Sequence, residues 1–257
     1  MTNLADQVIA VLRSGHDDLS TYAEALPEKE LSGPSGAAEW SVAQVLSHLG
    51  SGAEINLGNL ERAGAKPPEG FNQSVWARWD AMTPAEQRAG FLASNRRLVE
   101  AYEALDDDER ASRRIDVGFM PAPLSVAESG RLRLTEFAFH DWDVRAAARP
   151  ETTLAAEAVP LLLESVPSLL GWIARPDGTK AVLAVDLSDA GVSYGLTLGD
   201  QVSLGERPAD PDGVLSLPAE AWLRLLAGRL GPRWTPASVT VDGPVGLDTL
   251  RRIFPGY

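Results

Sequence analysis

Helical periodicity dominates the first 150 residues of the chain. Apolar residues recur four or seven positions apart in the first stretch, at Leu4, Val8, Leu12 and Leu19. This pattern ends near Pro27, and a second apolar stripe begins after Trp40. Ser41 and Gln44 stand three positions apart, which is the spacing of a capping box at the start of a helix. We therefore expect two long helices separated by a turn-rich segment.

Two further helices are predicted in the same half of the chain. The pair Thr83-Pro84 places a proline in the first turn of a third helix, which extends to about Leu105. A fourth helix is predicted from Arg131 to Ala148, ending before Pro150. Four long amphipathic helices joined by one long connection favour an antiparallel four-helix bundle.

The pattern changes after Pro150. Residues 155–172 still have helical periodicity, but 181–187 and 192–198 alternate like strands and flank a Ser-Asp-Ala-Gly turn, which predicts a hairpin. Shorter segments complete this half: strands at 214–217 and 238–241, and helices at 220–230 and 247–254. We expect an α+β protein with two domains, residues 1–150 and residues 151–257.

The charge of the chain restricts the partners that it can bind. The net charge is −13, and no run of lysine or arginine exceeds a pair. Binding to nucleic acid or to an anionic membrane surface needs a basic patch, so we expect neither partner. The acidic run 106–109 is interpreted as a solvated loop.

Cysteine is absent, which excludes disulfides, thiolate metal sites and a cysteine nucleophile. Any thiol chemistry would therefore need a thiol supplied as a small molecule. There is no secretory signal and no apolar stretch near the ~20 residues that span a bilayer, so a cytoplasmic location is expected. Nothing in the sequence requires an oligomer, and a monomer is acceptable.

Three histidines, His16, His48 and His140, narrow the search for chemistry. Glu136 precedes His140 by four residues, so the two side chains share one helix face. The neighbours of this pair at the same spacing are apolar, which suggests that the face is buried. His48 lies beside the apolar stripe of the second helix and can point into the same bundle, where facing helices assemble metal sites.

Two histidines and one carboxylate form a three-ligand set that leaves coordination positions open, as catalytic zinc sites do. The same ligands suit non-haem iron or another divalent first-row metal. An ion pair or a core hydrogen bond between Glu136 and His140 is the alternative. His16 is a rival ligand, but the following Asp17 and Asp18 indicate a helix surface.

Two motifs resemble the mycothiol-dependent maleylpyruvate isomerase family, within the superfamily of DinB-like bundles. The first runs from Trp40 to His48, and the second is Glu136-Phe-Ala-Phe-His140-Asp-Trp-Asp143. Residues 221–229 and 241–255 are similar to a small sterol-carrier-like domain. The resemblance covers almost the whole chain, and it implies a DinB-like bundle followed by a sterol-carrier-like α+β domain.

The resemblance implies a metalloenzyme whose ligands are His48, Glu136 and His140, with zinc as the metal and mycothiol as the thiol cosubstrate. A thiol activated by zinc would attack an electrophilic small molecule. Cis–trans isomerisation and S-conjugation both fit this site. A thiol-independent metalloenzyme, such as a hydrolase or a biosynthetic catalyst, and a non-catalytic ligand-binding protein are the alternatives. The preponderance of arginine over lysine agrees with an actinobacterial source, where mycothiol occurs.

Further residues are predicted to support or extend the metal site. Asp143 follows His140 by three residues and is expected to orient its ring, with a surface aspartate as the alternative. Arg78 and Arg229 are candidates for binding a substrate carboxylate, since arginine binds carboxylates through two hydrogen bonds. Structural roles for both arginines are the alternative.

Ligand contacts are also predicted in two other places. Asn72 lies in the segment before the third helix, where the family often has an asparagine, and is a candidate for contacting the substrate or the thiol. The tryptophans Trp76, Trp79 and Trp142 are candidates for lining a pocket, with core packing as the alternative.

Overall fold

The computed structural model describes residues 3–256, apart from the side chains of residues 166–169. Residues 1, 2 and 257, at the outer ends of the two predicted domains, lie outside the described residues. The chain divides into two compact units, Met1–Ala148 and Arg149–Tyr257. The predicted boundary at residue 150 lies two residues beyond this division.

The first unit is built on four long helices. They are α1 (Leu4–Ala25), α3 (Val42–Glu61), α5 (Pro84–Glu103) and α7 (Val126–Ala146), and α1 and α3 each pack against both α5 and α7. Three short helices lie between them: α2 (Glu28–Leu31), α4 (Phe71–Asp80) and α6 (Asp107–Ser112). Two short antiparallel strands, β1 (Arg114–Ile115) and β2 (Leu124–Ser125), precede α7. The four predicted long helices are therefore present.

Capping boxes fix the starts of three long helices. The predicted box is present at α3, where Ser41 and Gln44 satisfy each other's backbone N–H groups. Thr83 caps α5 in the same way, with Pro84 in the first turn. Helix α7 begins at Val126, five residues before the predicted start, because Ser125 and Glu128 form a third box. The missed box lies in a stretch whose apolar periodicity is weak.

The interpretation of residues 106–109 as a solvated loop was wrong. Asp106 is the N-cap of α6 and forms a capping box with Glu109. Acidic side chains in the first turn of a helix are favourable because they face the positive end of its dipole. The helix α4 was also missed, since it is short and follows Gly70, whose φ of 76° is in the left-handed region.

The second unit combines a mixed sheet with four short helices. The sheet order is β5-β4-β3-β6-β7, with β3 (Ala181–Leu187), β4 (Val192–Leu198), β5 (Ser203–Gly205), β6 (Gly213–Leu217) and β7 (Thr240–Asp242). The predicted β3–β4 hairpin is antiparallel, and β3 pairs with β6 in parallel. The helices are α8 (Ala158–Leu163), α9 (Val166–Ile173), α10 (Ala219–Leu226) and α11 (Leu247–Ile253). The fold class is confirmed as a helical region followed by an α+β region.

Among the described residues, no helix is both long enough and apolar enough to cross a bilayer. The core of the first unit is instead lined by apolar faces turned inward, as at Val8, Leu12 and Leu19 of α1, which are almost completely buried. These three residues belong to the apolar pattern that predicted the helix.

The expected surface position of His16 was wrong. Only 2% of His16 is exposed, and its Nδ1 lies 3.0 Å from Nδ2 of Asn95 and 3.1 Å from Oγ of Ser20. Because Oδ1 of Asn95 accepts a hydrogen bond from Arg133, the amide nitrogen of Asn95 must face His16 and donate to it. His16 is therefore a neutral acceptor in the core, and burial lowers its pKa.

This environment predicts a pH dependence of stability. In the unfolded chain His16 regains an ordinary pKa near 6.5, whereas its pKa in the folded chain is lower. The unfolded chain therefore takes up the proton first, and the free energy of unfolding falls as the pH drops from about 6.5 towards the folded pKa, by at most ~1.4 kcal/mol per pH unit. Urea unfolding between pH 5.5 and 7.5 measures this slope. His16→Gln should reduce it, and an unchanged slope in the variant would show that other groups cause it.

Candidate metal centre

Helices α3 and α7 bring the three predicted ligands together. His48 lies on α3, Glu136 and His140 lie on α7, and the two helices pack against each other. Nε2 of His48 is 3.2 Å from Oε2 of Glu136, and Nε2 of His140 is 3.7 Å from the same oxygen. The rings of the two histidines are 4.6 Å apart between centroids. One side chain from α3 and two from one face of α7 therefore converge on a point.

The donor set of this cluster fits a divalent metal. Each of the three residues offers one nitrogen or oxygen ligand atom, and these atoms all lie within 4.8 Å of one another. Imidazole and carboxylate are common ligands of zinc and of other first-row metals. His140 is buried, whereas the side chains of His48 and Glu136 are 37% and 34% exposed. The cluster thus opens towards solvent on one side.

Asp143 holds the ring of His140. Oδ2 of Asp143 lies 2.9 Å from Nδ1 of His140, and the Asp143 side chain is fully buried. The surface alternative for Asp143 is therefore wrong. Since a carboxylate only accepts, Nδ1 carries a proton, and Nε2 is therefore the ring nitrogen that could bind a metal. This is the usual arrangement beside a histidine that binds metal.

The indole of Trp40 forms a wall over both histidines. Its ring is stacked on His140 at 5.9 Å, with an interplanar angle of 23°, and is tilted against His48 at 5.1 Å. The loop before α3 fixes this tryptophan, because the carbonyl of Trp40 accepts hydrogen bonds from both N–H and Oγ of Ser35. The tryptophan at the start of the sequence motif therefore contacts both metal-binding candidates.

The surroundings of Glu136 favour its charged form. Burial opposes ionisation, but the hydrogen bond from His48 and the charges of His140, His48 and Arg133 outweigh it, so the pKa of Glu136 lies below its ordinary value. The carboxylate is therefore ionised at neutral pH and available as a ligand.

Two cavities meet at His48. The smaller, of about 220 Å³, is bordered by His48, Glu136 and Arg133, and the larger, of about 660 Å³, is an open groove along Trp40 and His48. Trp76 lines both cavities, and 44% of it is exposed. Small molecules can therefore reach His48 from either cavity and Glu136 from the smaller one.

The other predicted ligand contacts have different outcomes. Asn72 lines the smaller cavity, where its Oδ1 is buried and has no hydrogen-bond partner among the described residues. Arg78 forms an ion pair with Glu54, which also accepts a hydrogen bond from Trp79 at 3.0 Å. The carboxylate site of Arg78 is thus taken by the chain itself, which does not support its predicted role.

The side chains of Trp142 and Arg229 are both buried in the protein interior. Trp142 is fully buried, so its indole is core packing and does not line either cavity at the cluster. Arg229 lies in the second unit, where its side chain is buried and its Nη1 donates to the carbonyl of Ala227. Its role in carboxylate binding stays a prediction.

Arg133 was missed at the sequence level. It lies three residues before Glu136 on the same face of α7, is 3% exposed and borders the smaller cavity. The helical spacing alone was a usable signal, because residues three and four apart share a face.

Comparisons with known proteins agree with this geometry. A sequence profile described as the mycothiol maleylpyruvate isomerase N-terminal domain matches residues 12–145. The crystal structure of a mycothiol-dependent maleylpyruvate isomerase superposes with a TM-score of 0.69 at 17% identity, covering 96% of this chain and 98% of that one. A histidine-to-alanine variant of such an isomerase gives the same TM-score and coverage at 16% identity. These two similarities show the fold. No curated protein matches the chain significantly.

The contact between Asp143 and His140 predicts the effect of a nearly isosteric change. Asp143→Asn removes the negative charge behind the ring, so zinc affinity should fall about tenfold or more. Competition with a chromogenic chelator measures this affinity. Asp141→Asn is the matched control, since Asp141 lies on the same helix but pairs with Arg145. Equal zinc affinity in parent and Asp143→Asn would contradict the positioning role of Asp143.

Proposed function

The chain belongs to the mycothiol maleylpyruvate isomerase family, and we propose that it isomerises an electrophilic, unsaturated small molecule with mycothiol as the thiol cosubstrate. The resemblance inferred from the sequence is confirmed, and with it the prediction of an enzyme. The convergence of His48, Glu136 and His140, with His48 bordering both cavities, is the observation that carries the proposal.

In this proposal His48, Glu136 and His140 hold one divalent metal, with zinc as the expected ion. The set supplies three ligands and leaves positions open, as in catalytic zinc sites. When bound, the metal lowers the pKa of a thiol so that the thiolate is present at neutral pH. The absence of cysteine is consistent with a thiol that comes from outside the chain.

The residues around the ligands keep the site in one geometry. Asp143 fixes the protonated nitrogen of His140, and the Trp40 indole is stacked on the His140 ring and tilted against the His48 ring. Glu136 carries a negative charge that offsets part of the charge of a divalent ion. Little side-chain reorganisation would then accompany the binding of metal and thiol, which favours catalysis.

The proposed reaction is an isomerisation, so the substrate and the product have the same elemental composition. The thiolate sulfur adds to one carbon of a cis double bond, and the electron pair moves to a conjugated carbonyl group. Rotation about the resulting single bond comes next. The electron pair then returns, the carbon–sulfur bond breaks, and the trans isomer and the thiolate are released. S-conjugation would share the first step and differ in keeping the carbon–sulfur bond.

Several parts of the wider interpretation stay predictions. They are the cytoplasmic location, the actinobacterial source, the monomeric state and the lack of a nucleic-acid partner. The sterol-carrier-like character of the second unit stays a prediction as well.

Zinc analysis of histidine variants tests the proposed ligands. The parent should hold about one zinc per chain, and His48→Ala and His140→Ala should each lose most of it, because two ligands rarely retain zinc against a chelator. Elemental analysis after dialysis measures the content. His16→Gln is the matched control, since His16 lies in the core and outside the cluster. Zinc contents that do not differ between these variants and the parent would refute the triad.

Product analysis tests the reaction itself. Zinc-loaded protein with maleylpyruvate and mycothiol should give the trans isomer, with the thiol recovered in full. Recovery of a stable thioether would instead indicate an S-transferase. Conversion at the same rate without any thiol would refute the thiol-dependent reaction.

A further inference from the structure

Arg133 is a buried cation beside the candidate metal centre. Only 3% of it is exposed, yet it borders the smaller cavity together with His48 and Glu136. The described residues place no carboxylate within ion-pair distance of its guanidinium group, and Glu136 acts on it only through its field. Burial lowers the pKa of Arg133 to about 10, so it stays charged at neutral pH. A buried charge without an ion-pair partner is costly.

The hydrogen bonds of the guanidinium group hold it at one end only, and its carbon lies over the Phe137 ring at 5.9 Å. Nη2 donates to the carbonyl of Leu49 and to Oδ1 of Asn95, each at 2.8 Å. Nε is buried and has no hydrogen-bond partner among the described residues. A Cβ atom at Gly52, which also lines the cavity, would lie 3.0 Å from Nη1. The anchored end fixes the group, while Nη1, which makes no hydrogen bond to the described residues, keeps its donors for another acceptor.

The charges that line the smaller cavity are unbalanced once a metal is bound. Glu136 and Arg133 are its only charged residues among the described residues that line it, and they offset each other in the metal-free chain. A divalent ion would leave an excess of two positive charges there. A thiolate neutralises one of them, and a second anionic group neutralises the other.

The smaller cavity has further features of a ligand-binding site. Asn72 lies on its wall with an unpartnered, buried side-chain oxygen. Rotation of this amide by 180° presents the nitrogen as a donor instead. The volume of about 220 Å³ suits a small acid rather than a large conjugate. Arg78, the arginine predicted from sequence for this role, already pairs with Glu54.

We propose that Arg133 binds a carboxylate of the electrophilic substrate through Nη1, and that it selects unsaturated carboxylic acids over neutral analogues. A hydrogen bond from a guanidinium group to a carboxylate is charge-assisted and about twice as strong as one between neutral groups. With one end of the substrate held there, its double bond lies on the side of the cavity bordered by His48 and Glu136. This inference rests on the proposed function for the identity of the reacting centre.

Binding of maleate and of its neutral diamide, maleamide, to the zinc-loaded full chain tests this role. The parent should bind maleate at least ~10-fold more tightly than maleamide, since a charge-assisted hydrogen bond contributes about that factor. Arg133→Gln should bring the two dissociation constants within about twofold of each other. Isothermal titration calorimetry measures both. Arg97→Gln removes an exposed arginine that does not line the cavity, and it should keep the preference.

Arg133→Gln could prevent folding, because Arg133 also donates hydrogen bonds to Leu49 and Asn95. A second variant covers that case. Gly52→Ala adds a methyl group against Nη1 without removing any hydrogen bond, and it should weaken maleate binding several-fold more than maleamide binding. Equal loss for both ligands would indicate a steric effect only and would overturn the proposal. So would a preference that persists in folded Arg133→Gln.

Zinc content and thiol-dependent turnover of the same samples separate this inference from the proposed function. Normal zinc content with no preference for maleate would refute the role of Arg133 and leave the metal centre standing. A preference for maleate that depends on Arg133 in a chain that holds no zinc would support the anion site and refute the proposed metal chemistry.

Discussion

The contact between α3 and α7 is the constraint on which the candidate site depends. Polar side chains between two packed helices cost free energy unless they are paired. Arg133, Glu136 and His140 lie three and four residues apart on one face of α7, and each of the first two meets α3. Glu136 contacts His48, and Arg133 donates to the carbonyl of Leu49. These polar contacts fix both the distance and the register of the helices, and so they fix where the ligand atoms meet.

A second constraint comes from the loop between α2 and α3. The N–H group of Gly36 donates to the carbonyl of Asp143 at 2.7 Å. A Cβ atom at position 36 would lie 2.8 Å from the Trp142 ring and 3.0 Å from Oδ1 of Asp143, so only glycine allows this approach. The loop is thereby attached to α7 at the residue that orients His140. The same loop ends at Trp40, which contacts both imidazoles, so one hydrogen bond connects the loop that positions Trp40 to the residue that orients His140.

Local rules of helix formation were sufficient to predict part of the site from the sequence. Helical spacing placed Glu136 and His140 on one face, and the capping box placed the start of the helix that carries His48. These rules did not predict which side chain of a neighbouring helix each of these residues would contact. His16 looked exposed because two aspartates come after it, yet it faces Asn95. Arg78 looked available, yet Glu54 binds it. Both outcomes depend on the neighbouring helix, which a periodic pattern does not identify.

Arg133 connects the buried pair Asn95 and His16 to the candidate metal centre, although these residues lie far apart in the sequence. Asn95 accepts from Arg133 and donates to His16, so the direction of its amide, and with it one end of the guanidinium group, is fixed by the core. An apolar side chain of similar volume would fill the same space without the cost of a buried charge. Packing alone therefore does not account for an arginine here. A cation held rigidly at the edge of a cavity, with donors left over, is accounted for by an anion that binds in that cavity.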